Sequence, residues 1–298
     1  MAFIKTKFCP FMMRTLYERD QPMILNSPFY EQEMKTKPPV EQPAFEQTWT
    51  RILSEMDPIT LEQSGDASLM KRTDTKFVFP SILLPAILGN LKPSYRILEV
   101  DNGVRLQRYQ TLYFDTPDFQ LYQQHHNGQC DRFKLRVRSY LNSDINYLEV
   151  KKKDNHNVTR KSRMQTLTPL NGQSSDIQSF LKTTLPLSTM PLVPKITNQF
   201  YRITLVNRMD AERLTLDLNL RFFSPSGNFS IPGIVVAEIK QPHFSLQSPF
   251  VTEMRNAGYR PTRFSKYCIG VALAYPHLKR NAFKPLLINL EKLVIGGN

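Results

Sequence analysis

Arg132-Phe133-Lys134-Leu135-Arg136-Val137-Arg138-Ser139-Tyr140 carries a cation at every even position up to Arg138 and mostly apolar residues between them. A strand points successive side chains to opposite faces, so Arg132, Lys134, Arg136 and Arg138 share one face. Like charges crowded on one face destabilise a sheet unless something strongly anionic lies among them. The next stretch, Ile145 to Lys153, repeats the device with Tyr147, Glu149, Lys151 and Lys153, and Val158 to Met164 adds Lys161 and Arg163. Ten Lys and Arg fall within these 32 residues, against Asp144, Glu149 and Asp154. A solvated basic face accounts for one such strand. Strict alternation over a strand followed by two more of similar character points instead to a surface built to meet a polyanion.

Composition supports that reading. The chain has 298 residues, a formal net charge of +13 and a pI near 9.6, which implies nucleic acid, a phosphate compound or an acidic membrane as partner. Cys9, Cys130 and Cys268 are odd in number and lack metal-ligand spacing, so a disulfide framework or zinc site is not expected and a reducing cytoplasm fits best. No run approaches the roughly 18 apolar residues of a membrane span, and Phe8 to Met13, followed by Arg14, is too short for a secretory leader. A soluble, cytoplasmic protein is expected.

Residues 1–65 hold six early prolines and no sustained period, and read as an extension, partly disordered or draped, with one short helix at Phe45 to Met56. Residues 66–280 form the folded unit and 281–298 a helical tail. Within the folded unit, Leu69 to Phe79 alternates with Arg72, Asp74 and Lys76 on one face, and Pro80-Ser81 opens a helix. Tyr95 to Val100 and Val104 to Phe114 flank Asp101-Asn102-Gly103, a hairpin signal. The three basic strands follow, then strands at Phe200 to Asn207, Arg213 to Phe223 and Ile234 to Lys240, and helices from Ser248 and Arg263. About eight hairpin-linked strands with helices between and after them predict an α+β fold: a closed antiparallel β-barrel whose charged faces turn inward to make a basic tunnel.

Five motifs come in order: Lys71 to Phe79, Tyr113-Phe114-Asp115-Thr116-Pro117-Asp118, the basic strand, Tyr147-Leu148-Glu149-Val150-Lys151, and Phe264-Ser265-Lys266-Tyr267. Together they resemble the polyphosphate polymerase (VTC) domain of the vacuolar transporter chaperone proteins, in its bacterial form. That family belongs to the triphosphate tunnel metalloenzymes. The resemblance covers about residues 69–280 and implies a metal-dependent phosphotransferase that moves the γ-phosphate of ATP onto inorganic polyphosphate, with Mn²⁺ or Mg²⁺ as cofactor. It assigns Lys76, Arg136, Arg138 and Lys266 to the reacting phosphates, and Lys151, Lys161, Arg202 and Arg263 to substrate binding. Arg72, Lys134 and Lys240, on the same faces, complete the binding set. Glu238, in Val236-Ala237-Glu238-Ile239-Lys240, matches the metal ligand. His125 and His126 stand where the fungal polymerases have an arginine. The paired glutamates of the hydrolytic and cyclase branches are absent from Arg72-Thr73-Asp74-Thr75-Lys76.

The chemistry agrees without the family. Polyphosphate carries charge all round its axis, which a ring of cations with planar arginine forks can meet. Phosphoryl transfer needs positioning and charge stabilisation more than covalent help. Nothing resembles a Walker A or dinucleotide loop. Three other functions stay open: hydrolysis of tripolyphosphate or a nucleoside triphosphate, a silent module binding polyphosphate or inositol polyphosphate, and, least favoured, nucleic-acid binding. Nucleic acid is not expected as a partner, because stacking platforms for single strands are missing. Docking on a separate membrane protein is left open.

Overall fold

The computed structural model describes residues 42–64, 73–156, 158–166, 174–186 and 191–295. Most of the N-terminal extension, together with Arg72, lies outside the described residues. Eight strands form the main sheet: β2 (Thr73–Pro80), β4 (Gln107–Asp115), β5 (Arg132–Tyr140), β6 (Ile145–Lys153), β7 (Thr159–Thr166), β8 (Val193–Asn207), β9 (Arg213–Ser224) and β10 (Gly227–Gln241). They are joined antiparallel in the order β2-β10-β9-β8-β4-β5-β6-β7, with β3 (Tyr95–Leu98) paired to β8 and to the short parallel β1 (Pro58–Ile59). The fold is α+β, a large antiparallel sheet with flanking helices.

The alternation in β5 has the expected consequence. Phe133, Leu135 and Val137 are buried on the convex face with Leu148 and Val150 of β6, beneath Ile177 and Leu181 of α4 (Ser175–Thr184). A second convex core gathers Phe77 and Phe79 of β2, Leu214 and Leu216 of β9, and Ala237 and Ile239 of β10. It is covered by α1 (Gln42–Leu53), α2 (Leu84–Leu91) and α5 (Pro249–Asn256), which contribute Trp49, Leu53, Leu84, Leu88, Phe250 and Met254. The cations are left to the concave face.

Three expectations are corrected. The barrel does not close: among the described residues no ladder joins β2 to β7. The free edge of β2 is taken by the segment before α6 (Lys266–Ala274), where Thr262 N donates to Lys76 O at 2.8 Å. The opposite edge, β7, is polar and largely exposed, the usual way an edge strand avoids further pairing. Nor is the concavity hollow. The apolar helix α6 lies in it, with Cys268, Ile269, Val271 and Ala272 packed among Ile196, Phe222 and Val236. Gly270 allows this approach, because a Cβ there would meet Ile196 Cδ1 at 2.7 Å and Phe222 Cδ1 at 2.8 Å. Finally, the hairpin around Asp101-Asn102-Gly103 amounts to one bridge, Val100 to Val104. Beyond it the two strands part and lie end to end on β8, Tyr95 opposite Asn207 and Gln107 opposite Arg202.

That shared edge is possible because β8 is twice the expected length, running back through Pro194 to Val193. Strand β10 likewise extends past Pro232-Gly233, where the register shifts between Ile231 and Val235. Asn219, at φ 51°, makes a matching irregularity in β9. Leu218 faces the convex core and Leu220 the concave one, so this left-handed asparagine resets which side chains point inward. No helix among the described residues is long and apolar enough to cross a membrane.

Candidate phosphate-binding site

The register aligns the concave cations into rungs across the sheet. Lys134 lies opposite Lys151, which lies opposite Lys161; Arg136 lies opposite Glu149, which lies opposite Arg163. On the other flank Arg202 faces Asp217, and Glu238 faces Lys76. Curvature brings the flanks together, so Lys76 feels the charges of Arg136 and Asp217 and Lys134 feels that of Lys76.

Buried carboxylates organise these cations. Glu149, whose side chain is 1% exposed, accepts from Arg136 at 2.7 Å and pairs with Lys161. Burial pushes its carboxyl up, but Arg136, Arg138 and Lys161 outweigh that and hold it at about 2. Asp217 accepts both arms of the Arg202 guanidinium at 2.6 and 2.8 Å and also pairs with Lys266. These partners overcome burial and hold Asp217 well below the usual carboxylate range. Glu238 lies 3.1 Å from Lys76 and pairs with Lys240, which reaches Asp74 at 3.4 Å. Glu149 and Asp217 each tie together cations from two different elements.

Positive charge remains in excess. Lys134 has no carboxylate partner among the described residues, and burial with Lys76 and Lys151 nearby pushes it down to about 8. Burial brings Lys161 to about 8 and Lys266 to about 7 despite their acidic partners. Arg138 stands over the Tyr109 ring at 5.8 Å, and neither its Nε nor the Thr111 hydroxyl opposite it has a hydrogen-bond partner among the described residues. An unpaired buried guanidinium nitrogen is costly without a ligand.

A cavity of about 980 Å³ opens at one end of this face. Lys76, Lys134, Lys151, Arg132, Lys153 and Arg263 line it. Arg136, Arg138, Arg202 and Lys266 continue the same face beyond that lining, toward the stacked rings of Tyr109 and Phe200. His125 also lines the cavity; its Nε2 donates to Phe133 O at 3.0 Å, and burial with the charge of Lys134 pushes it down to about 2, so it stays neutral. His126 is held by Asn281 and Asn127.

Asp115 went unassigned in the sequence although its motif was conspicuous. It is wholly buried and accepts from the amides of Thr116, Leu121 and Tyr122 at 2.7 to 2.9 Å, which anchors α3 (Gln120–His126). It also accepts from the Tyr267 hydroxyl, and so fixes the first turn of α6, where Lys266 sits. Lys76 Nζ adds a second tie by donating to Phe264 O at 2.9 Å.

Among the described residues no three His, Cys, Asp or Glu converge as a metal cage. Glu238, with Asp74 reached through the shared Lys240, presents a carboxylate on the cationic face. That donor set fits an ion whose remaining ligands are substrate phosphate oxygens and water, the usual habit of magnesium.

No curated protein matches the sequence. Among solved structures the chain is similar to a Hippeastrum protein described as having a dominant triphosphatase activity, at 13% identity over 67% of this chain and 94% of that one, with a TM-score of 0.38. It is also similar to the PH1819 protein of Pyrococcus horikoshii, at 11% identity over 66% and 95% with a TM-score of 0.37. A conserved hypothetical protein of Pyrococcus furiosus gives 14% identity over 66% and 99% and a TM-score of 0.34. The family model described as the VTC domain matches residues 71–275, a span that takes in β2 through α6 and with them the whole cationic face, and the chain belongs to that family.

Proposed function

We propose that this protein extends inorganic polyphosphate with the γ-phosphate of ATP, in the cytoplasm, using residues 66–280 as the functional unit. The observation that carries the reading is the excess of positive charge on one concave face, with Lys134 and Arg138 left without carboxylate partners among the described residues. From Arg132 to Arg138 that charge extends roughly 20 Å along a single strand, about twice the reach of a triphosphate and suited to a chain.

Lys76, Arg136, Arg138 and Lys266 hold the reacting phosphates. Lys134, Lys151, Lys161, Arg202, Lys240 and Arg263, with Arg72 outside the described residues, bind the remaining phosphates of the two substrates. A terminal oxygen of the acceptor chain attacks the γ-phosphorus, the bond to the bridging oxygen breaks, and ADP departs with the electron pair. The cations neutralise charge on the equatorial oxygens throughout, which is where such transition states carry it. Glu238 would hold Mn²⁺ or Mg²⁺, which supplies further charge neutralisation at the terminal phosphates when bound.

Incubation with ATP and Mn²⁺ or Mg²⁺, followed by gel analysis, tests the proposal. Chains that lengthen with time while ADP accumulates in step support it. Orthophosphate without chain growth assigns the site to hydrolysis, and tight polyphosphate binding with ATP left intact assigns it to a regulatory module; either overturns the polymerase.

A further inference from the structure

The cationic cavity has a second wall that phosphate cannot use. Beside Lys134 and Lys151, its lining includes Phe283, Pro285, Leu286 and Asn289, supplied by the turn at Asn281–Phe283 and by α7 (Lys284–Ile295). These residues lie beyond the family match, which ends at 275. Phe283 and Leu286 are only half-buried, and Pro285 and Asn289 are exposed. The Phe283 ring is fixed at one edge by His126, with centroids 5.7 Å apart at 77°, and by Tyr122 at 5.8 Å. His126 Nε2 in turn is hydrogen-bonded to the Asn281 side chain at 3.0 Å. Its neighbour His125 feels the charges of Lys134, Arg132 and Lys151, so helix α3 joins the apolar wall to the cations.

A polyphosphate chain has no apolar surface to place against such a wall. A ligand with a charged half and a flat apolar half uses both sides. We propose that Phe283, Pro285 and Leu286 form a shelf for the base of a nucleoside triphosphate whose phosphates enter among Lys76, Lys134 and Lys151, with the Asn289 amide at the base's polar edge. The amide offers both a donor and an acceptor, as a base edge requires. This rests on the phosphate-binding reading above and adds the nucleoside to it.

Calorimetric titration of the full chain with ATP, ribose 5-triphosphate and tripolyphosphate separates the two. Ribose 5-triphosphate has the charge of ATP and lacks the base. ATP is expected to bind about tenfold tighter than ribose 5-triphosphate, the scale of one base stacked on an aromatic ring. Phe283→Ala should erase that preference and leave tripolyphosphate affinity unchanged. Should Phe283→Ala fail to fold, Leu286→Ala and Asn289→Ala read the same ratio. Equal binding of ATP and ribose 5-triphosphate overturns the shelf, as does a Phe283→Ala loss shared equally by ATP and tripolyphosphate. A wild-type protein that does not bind tripolyphosphate at all sinks the phosphate site itself.

Discussion

Replacing Glu149 by Gln isolates the contribution of one buried carboxylate. The side chain is 1% exposed, accepts from Arg136 at 2.7 Å and pairs with Lys161, so the amide would leave two cations without their anion. Its carboxyl sits at about 2, against an ordinary 4.5. At 1.36 kcal/mol per unit that difference stabilises the folded state by about 3 kcal/mol at neutral pH. Breaking a buried ion pair by removing one partner costs about 3–5 kcal/mol, which agrees. Because the folded value lies below the unfolded one, the stabilisation is complete above pH 4.5 and fades as pH falls toward 2. Urea unfolding of Glu149→Gln should therefore show a loss of about 3 kcal/mol at pH 7, shrinking by about 2 kcal/mol at pH 3. Tripolyphosphate should bind the variant more tightly than it binds the wild type and raise its unfolding midpoint further, since the lost anion was competing with the ligand. Equal stability at pH 7, or a gap that ignores pH between 7 and 3, would refute the reasoning.

Three more outcomes are expected. Glu238→Gln should abolish phosphoryl transfer while keeping polyphosphate affinity within severalfold, and normal turnover at limiting Mn²⁺ would remove Glu238 from the metal site. Lys266 at about 7 and Lys134 and Lys161 at about 8 lose protons as pH rises from 6 to 9, so polyphosphate affinity should fall across that window. A Lys134→Ala variant should bind more weakly with a flatter pH profile, measured at constant ionic strength; an unchanged profile would show that Lys134 does not meet the chain. Gly270→Ala should destabilise by roughly 1–3 kcal/mol, because Ile196 and Phe222 must move to admit the methyl group, and a neutral result in thermal unfolding would show that α6 shifts freely.

The alternation of Arg132 to Arg138 made one sheet face legible from sequence, because period two is local information and the apolar partners Phe133, Leu135 and Val137 confirm it residue by residue. Closure of the barrel was not legible. It depends on what lies against the edge of β2, and that is decided by Thr262, nearly two hundred residues away. The interior helix misled for a related reason: α6 is apolar almost all round, which marks it as buried without saying in what. Pro194 and Pro232-Gly233 hid the true lengths of β8 and β10, since proline normally argues against a strand interior and here marks a strand start and a bulge. Of the site, the cations stood out by spacing. Asp115 did not, since its partners are backbone amides of the following turn and a tyrosine on α6.

The strand order has a consequence for how the molecule is made. Strand β2, near the start of the described chain, has β10 as its one strand partner among the described residues, so Lys76 meets Glu238 after some 160 intervening residues have been synthesised. At about 5–20 residues per second, β2 waits on the order of ten seconds for its partner. Contacts so distant in sequence also slow the conformational search itself. Strands β4 to β7, linked mostly by neighbours in sequence, can form their half of the basic face long before then. The nascent protein therefore carries an open cationic half-sheet first, and the segment from Thr262 to Lys266 is what completes it. A polyanion able to bind that half-sheet would act on the chain before any complete site exists, as a folding template as much as a substrate.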